Sequence, residues 1–286
     1  VLQENGQLPE AEKRLEQYTR LVANNPTPEQ QAGLAEALMS LAQIAQKQGQ
    51  LDRANQWLSR MPAGADPIKL ASRQADLLAQ QGRMDEARRV LAQVKPANAE
   101  QARRKVLAQS FWLREHRDAA AAYPLVRAAL DKKPDDTELL TELSLVCEKL
   151  KRFDEMEDLL RQLMTLSPQE AHAFNALGYS LADRNIRLEE AQQLIEKAVQ
   201  LSPKDAYIQD SLGWVKYRQG LHQEALTILK AAYKAKPDAE IAAHLGEVLW
   251  VTGQQREAGT IWREGLLLKA DNETLVETLK RVNFKP

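Results

Sequence analysis

Apolar residues recur along this chain at intervals of three and four over stretches of about a dozen residues, many of them ended by Gly or Pro. That spacing predicts short amphipathic helices, and the chain reads as all-α. The pattern also repeats on a longer scale. Leu177-Gly178 precedes Ala191, Ala198 and Pro203; Leu212-Gly213 precedes Ala225, Ala232 and Pro237; Leu245-Gly246 precedes Ala258, Gly265 and Ala270. Matching positions lie 33 to 35 residues apart. A period of that length belongs to stacked helical hairpins, each burying its apolar face only against its neighbours.

A turn followed by the start of a second helix recurs at five places along the chain. It reads Gly6-Gln7-Leu8-Pro9-Glu10-Ala11, Gly49-Gln50-Leu51-Asp52-Arg53-Ala54, Gly82-Arg83-Met84-Asp85-Glu86-Ala87, Arg152-Phe153-Asp154-Glu155-Met156 and Gly220-Leu221-His222-Gln223-Glu224-Ala225. Glycine suits the left-handed position that ends the first helix, and Ala lets two helices approach closely. Pro62, Pro96, Pro134, Pro168, Pro203 and Pro237 stop the second helices, because proline has no N–H to continue the ladder.

The chain therefore reads as one array over 1–286. It has a half repeat at 1–26, seven repeats at about 28–62, 67–96, 98–134, 135–168, 169–203, 204–237 and 238–270, and a capping helix at 271–283. In the cap, Leu275, Val276, Leu279 and Val282 share one face. The half repeat, from Pro9 to Asn24, is a second helix without its first, so the array is expected to continue upstream. Ala11 and Ala54 are 43 residues apart. Longer helices around Pro26 and Pro28 are expected there, either as a protruding hairpin or as drift in a degenerate repeat. The register of the unit holding Ala119 and Ala122 is open by one residue.

Composition removes several classes of function. Of 286 residues, 44% are hydrophobic and 28% charged, and the formal net charge is −1. No global field favours nucleic acid or an anionic surface, and Arg103-Arg104-Lys105 reads as a solvated helix face. Cys147, the one cysteine, excludes a disulfide framework and a cysteine-rich metal site. It sits in an apolar run and reads as a small buried filler. No stretch reaches the roughly 18 apolar residues of a membrane span.

Catalytic, cofactor and metal sites are not expected. His116, His172, His222 and His244 fall in different repeats, and no metal, nucleophile-elbow or phosphate-loop motif occurs. His222 reads as a surface turn residue and His244 as an inter-helix contact. Glu189-Glu190 leads into a helix, where carboxylates complement the backbone dipole.

These repeats resemble the tetratricopeptide repeat, whose pattern is Trp-x2-Leu-Gly-x2-Tyr followed by Ala, Phe, Ala and Pro. Asp210-Ser-Leu-Gly-Trp-Val-Lys-Tyr-Arg-Gln-Gly220, followed by Ala225 and Ala232, carries the likeness best. Earlier units replace Leu-Gly by Leu143-Ser144, Gln74-Ala75 and Leu41-Ala42, keeping a small second residue. The resemblance implies a right-handed α-solenoid with a capping helix, whose first helices line a concave groove that holds protein.

On that groove the helical period places His172, Asn175, Tyr179 and Asp183 in one repeat. It places Tyr207, Asp210, Trp214, Tyr217 and Arg218 in the next, and Glu240, Glu247 and Trp250 in the last. Aromatic side chains with polar ends make strong contacts on open surfaces. For Trp214, Tyr217 and Trp250, packing between hairpins is the alternative, whereas Trp57, Trp112, Phe174 and Trp262 read as packing residues. If the groove reading holds, Trp214→Ala with Tyr217→Ala should weaken binding and leave helicity intact. The lysine pairs of the carboxylate-clamping version of the fold are missing.

The strings Asn175-Ala-Leu-Gly-Tyr-Ser-Leu-Ala-Asp183 and Asp205-Ala-Tyr-Ile-Gln-Asp-Ser-Leu-Gly-Trp214 also resemble the C-terminal end of a group of proteobacterial repeat lipoproteins. The best understood type is an outer-membrane adaptor for a periplasmic carboxyl-terminal processing protease. That resemblance implies a non-catalytic scaffold holding a protease and its substrates, such as cell-wall hydrolases. It also implies a periplasmic location and an upstream lipid anchor as the sole membrane contact. No nucleic acid and no cofactor are expected. The alternatives are a pilot protein for a pilus or secretin and the substrate-recruiting tail of a larger enzyme.

Overall fold

The computed structural model describes residues 8–22 and 27–285. Gly6 and Pro26, which mark turns in the sequence, lie outside them. Among the described residues there are sixteen α-helices and no strand. They run α1 (Leu8–Val22), α2 (Pro28–Lys47), α3 (Leu51–Ser59), α4 (Pro67–Gln80), α5 (Met84–Gln93), α6 (Ala99–Glu115), α7 (Ala119–Leu130) and α8 (Thr137–Lys149). The remainder are α9 (Phe153–Leu166), α10 (Ala171–Asp183), α11 (Leu188–Leu201), α12 (Ala206–Arg218), α13 (His222–Ala235), α14 (Ala239–Val251), α15 (Gln255–Leu268) and α16 (Glu273–Arg281).

Even-numbered helices from α2 to α14 open a hairpin and the following odd-numbered helix closes it. An Asp, Asn, Glu or Thr side chain accepts backbone N–H groups at the start of all seven hairpin-opening helices: Thr27, Asp66, Asn98, Asp136, Glu170, Asp205 and Asp238. Such caps satisfy donors that the helix itself leaves unpaired. The hairpin turns work differently. A left-handed residue follows the first helix, and the next N–H closes back five residues, as Gln50 does to Ala45 and Leu221 to Lys216. Where glycine is absent, Arg117 (φ 60°) and Lys151 (φ 57°) adopt the same conformation.

The small residue of each second helix is its fourth. Ala54, Ala87, Ala191, Ala225 and Ala258 are all 0% exposed, and Met156 takes this place in α9. In α7 it falls on Ala122, also 0% exposed, which settles the open register. On the first helices, a Cβ at Gly178 would meet the Ile195 side chain, one at Gly213 the Leu229 side chain, and one at Gly246 the Trp262 indole. The Leu-Gly pairs are therefore the crossing points of the hairpins.

The chain divides into two compact units. One comprises residues up to 134 with 146–151, and the other 135–145 with 152–286. In the first unit, α4 packs along α5 and α6, and α6 along α7. Trp112, Leu113, Ala122 and Val146 belong to one hydrophobic cluster there. The lengthened repeat shows in α2, which has 20 residues where α4 has 14. In the second unit each first helix packs on its own partner and on the next first helix, from α10 to α12 to α14. Trp262 and Leu245 anchor its terminal cluster. There α16 covers the last hairpin with Leu275 and Leu279, while Val282 packs at the edge. Cys147 is buried, as a filler. Glu157 of α9 accepts from Arg161 and Arg187, bracing α9 against the start of α11, and Arg187 leads in holding its carboxyl down at about 2.

Candidate protein-binding surface

The first helices of the second unit carry the residues that the helical period assigns to a groove, and neighbouring repeats bind most of these together. His244 of α14 is the centre, at 1% exposure. Its Nδ1 lies 2.8 Å from Asp210 Oδ2 on α12, and its Nε2 lies 3.3 Å from Tyr179 Oη on α10. The ring stacks on Trp214 with centroids 4.2 Å apart. Burial alone disfavours a charged imidazole, but the Asp210 carboxylate outweighs it, helped by Glu240 and Asp183, and the pKa rises from 6.5 to about 8. Doubly protonated, the ring donates to both Asp210 and Tyr179.

A second link runs in parallel. Tyr217 Oη donates to Glu247 Oε1 at 3.2 Å, and Arg281 donates to the other oxygen of Glu247. Burial, with Glu247 adding to it, raises the Tyr217 phenol. Trp250 rests against Trp262 and Phe284.

These contacts decide which expected residues face outward. Trp214 is 2% exposed and serves as packing, the alternative its position left open. Asp210 and Glu247 are 4% and 6% exposed, because the next repeat and α16 supply His244 and Arg281 to cover them. Asn175, Tyr179, Tyr217, Arg218, Glu240 and Trp250 are half-buried. Asn175 Oδ1 and Arg218 Nε are buried without a hydrogen-bond partner, and the Arg218 guanidinium sits 5.6 Å from the Trp214 ring. His172, Asp183 and Tyr207 are exposed. Tyr207 donates to Asp238 Oδ2 at 3.2 Å while Lys236 lies over its ring.

The first unit, where the aromatic criterion did not point, carries an open surface of its own. Three cavities follow one another along α2, α4 and α6. One of about 490 Å³ lies between α2 and α4, lined by Ala35, Met39, Gln43 and Lys69 among others. The next, about 370 Å³, shares Met39 and Lys69 with it and adds Ser72, Arg73, Asp76, Arg104 and Leu107. The third, also about 370 Å³, shares Asp76 and reaches Gln46, Gln80 and His116. The trench follows these three helices above a packed floor, where Leu77 of α4 shares one cluster with Ala42 and Ala45 of α2. Burial raises the Asp76 carboxyl, against the pull of Arg73.

The signal for this trench was present in the spacing. Met39 and Gln43 stand two before and two after Leu41, as Ser72 and Asp76 do around Gln74. Asp210 and Trp214 hold the same places around Leu212. Preference for aromatic side chains passed these repeats over. The basic run nearby is engaged rather than simply solvated: Arg104 pairs with Asp66, Arg103 with Glu100, and Lys105 donates to the carbonyls of Ala92 and Val94. Among the described residues no group of His, Cys, Asp and Glu could hold a metal ion, and no helix is long and apolar enough to cross a membrane.

Comparison with known proteins agrees with this architecture. The tetratricopeptide repeat family model matches residues 211–270. A TPR repeat-containing protein of Pseudomonas aeruginosa is 37% identical over 201 residues, 70% of this chain, and the chain spans 34% of that protein's length. Among solved structures, yeast Tom70 superposes with a TM-score of 0.68 at 16% identity, over 97% of this chain and 57% of that one. A tetratricopeptide repeat protein from Parabacteroides merdae gives 0.63 at 15% identity, over 87% and 98% of the two chains. Stacked hairpins crossing at small residues, a family model matching residues 211–270 and a related repeat protein agree on tetratricopeptide-type repeats in this chain, a fold that suggests a scaffold for protein–protein interaction.

Proposed function

We propose that this chain is the protein-holding part of an adaptor that brings a periplasmic carboxyl-terminal processing protease together with substrates such as cell-wall hydrolases. In this reading the whole protein is held at the outer membrane by a lipid anchor. The scaffold lends effective concentration, placing two proteins on one surface without performing chemistry. The observation that carries the scaffold reading is the trench along α2, α4 and α6, an open channel across three successive repeats. Its length suits an extended segment of protein better than a compact small molecule. The protease comes from the likeness of the strings starting at Asn175 and Asp205 to the adaptor lipoproteins.

Reconstitution tests the reading. The purified chain is mixed with a carboxyl-terminal processing protease and a cell-wall hydrolase, and hydrolase cleavage is followed with time. The chain should bind the protease in co-sedimentation and quicken cleavage. A chain that neither sediments with the protease nor changes the cleavage rate defeats the proposal.

A further inference from the structure

The trench of the first unit differs along its length in charge. Its middle cavity brings Lys69, Arg73 and Arg104 beside a single carboxylate, Asp76, over an apolar floor from Met39 and Leu107. Arg104 is engaged by Asp66, which lies outside this cavity and also caps α4. The Arg73–Asp76 pair is long, at 3.7 Å, and leaves the Arg73 side chain 29% exposed. Lys69 is exposed and makes no ion pair among the described residues. The cavity is therefore cationic at its rim and apolar below, within a chain whose total charge is near zero.

We propose that this middle cavity docks an acidic peptide segment, with an Asp or Glu side chain at Lys69 and Arg73 and a neighbouring large apolar side chain on Met39 and Leu107. The claim rests on the scaffold reading above and specifies the chemistry of one partner. Charge complementarity selects the occupant. A basic segment would meet the unpaired Lys69 and the loosely paired Arg73, whereas an acidic one neutralises Lys69 and gives Arg73 a closer partner than Asp76. Burial raises the Asp76 carboxyl, so the one opposing charge is the easier to lose. About 370 Å³ accommodates one large side chain and the carboxylate beside it, and the adjoining cavities let the backbone continue both ways.

The test uses the 286-residue chain and three fluorescein-labelled peptides of equal length with blocked ends, alternating Leu and Phe with Asp, with Asn or with Lys. Blocked ends remove any contribution from a terminal carboxylate. Fluorescence anisotropy should show the Asp peptide binding about tenfold more tightly than the Asn peptide, with an advantage that shrinks in high salt. Lys69→Glu should cut binding of the Asp peptide by about tenfold, since an exposed cation beside the bound carboxylate is reversed. Ser72→Phe, which fills the cavity, should abolish binding of the Asp peptide. Both variants are checked for unchanged helicity and melting; Lys69 is exposed, so its replacement keeps the test decisive if Ser72→Phe unfolds the chain.

Equal binding of Asn or Lys peptides, or an unaffected Lys69→Glu variant, overturns the acidic assignment and leaves the adaptor reading standing. Failure of all three peptides to bind overturns the docking site itself. The adaptor reading is then decided separately, by the protease reconstitution.

Discussion

Asp210, Trp214 and His244 form the most consequential side-chain cluster. An imidazole at 1% exposure stays charged only because a carboxylate lies 2.8 Å away. The groups facing it are Tyr179 and Asp183 from α10, Asp210 from α12 and Glu240 from its own helix. With the folded pKa at about 8, above the ordinary 6.5, the folded state holds the proton more tightly than the unfolded chain. The resulting stability is complete below about pH 6.5 and disappears as pH rises through 8. A shift of that size corresponds to about 2 kcal/mol. Thermal unfolding followed from pH 6 to 9 should therefore show a falling melting temperature, and Asp210→Asn should lower stability at pH 6 and flatten the slope. An unchanged slope in that variant would remove Asp210 as the cause. Trp214→Ala with Tyr217→Ala is expected from the sequence to weaken binding with helicity intact; Trp214→Ala by itself should instead cost about 3–5 kcal/mol, because it empties a packed site. Tyr207→Ala, at an exposed ring, is the cleaner binding variant; denaturant melts distinguish the two.

At the scale of elements, hairpin geometry depends on the second residue of each Leu-Gly pair. A Cβ at Gly246 would stand 2.1 Å from Trp262 Nε1, and one at Gly213 would stand 2.5 Å from Leu229 Cγ. A large indole locked under α14 has less freedom to move aside than a leucine. Gly246→Ala should therefore destabilise by about 1–3 kcal/mol and Gly213→Ala by less, while Gly213→Leu should disrupt its hairpin. Urea midpoints of the three variants check the order. This crossing was legible in the sequence, since the Gly and the Ala of the partner helix recur together. The left-handed turns at Arg117 and Lys151 were not legible, because neither residue type favours that backbone region. Packing of the flanking helices imposes it.

Across the molecule, stability is passed between neighbouring repeats, since each hairpin of the second unit touches the next and little else. At the end of that unit α16 covers α14 and α15 with Leu275 at 0% and Leu279 at 7% exposure. Replacing both by Ala should speed amide hydrogen exchange most in α15 and α14, less in α12 and least in α10. Uniform acceleration through the unit would show that it unfolds as one block instead. With a net charge of −1, no long-range field steers partners to this chain. Salt should act on binding only where charge is local, at the rim of the trench.

Helix positions, turn spacing and the crossing residues could be read from the amino-acid order, because each depends on contacts within about one repeat and the same solution recurs every 33 to 35 residues. Whether an inner face is open or closed could not. Tyr179 and His244 meet although 65 residues separate them, and their meeting draws Trp214 and Asp210 out of solvent. The equivalent positions Met39, Ser72 and Asp76 line open cavities instead. Local periodicity sets which side chains point inward; the distance between helices in successive repeats, a property of three-dimensional packing, decides whether those side chains bind one another or are left for a partner.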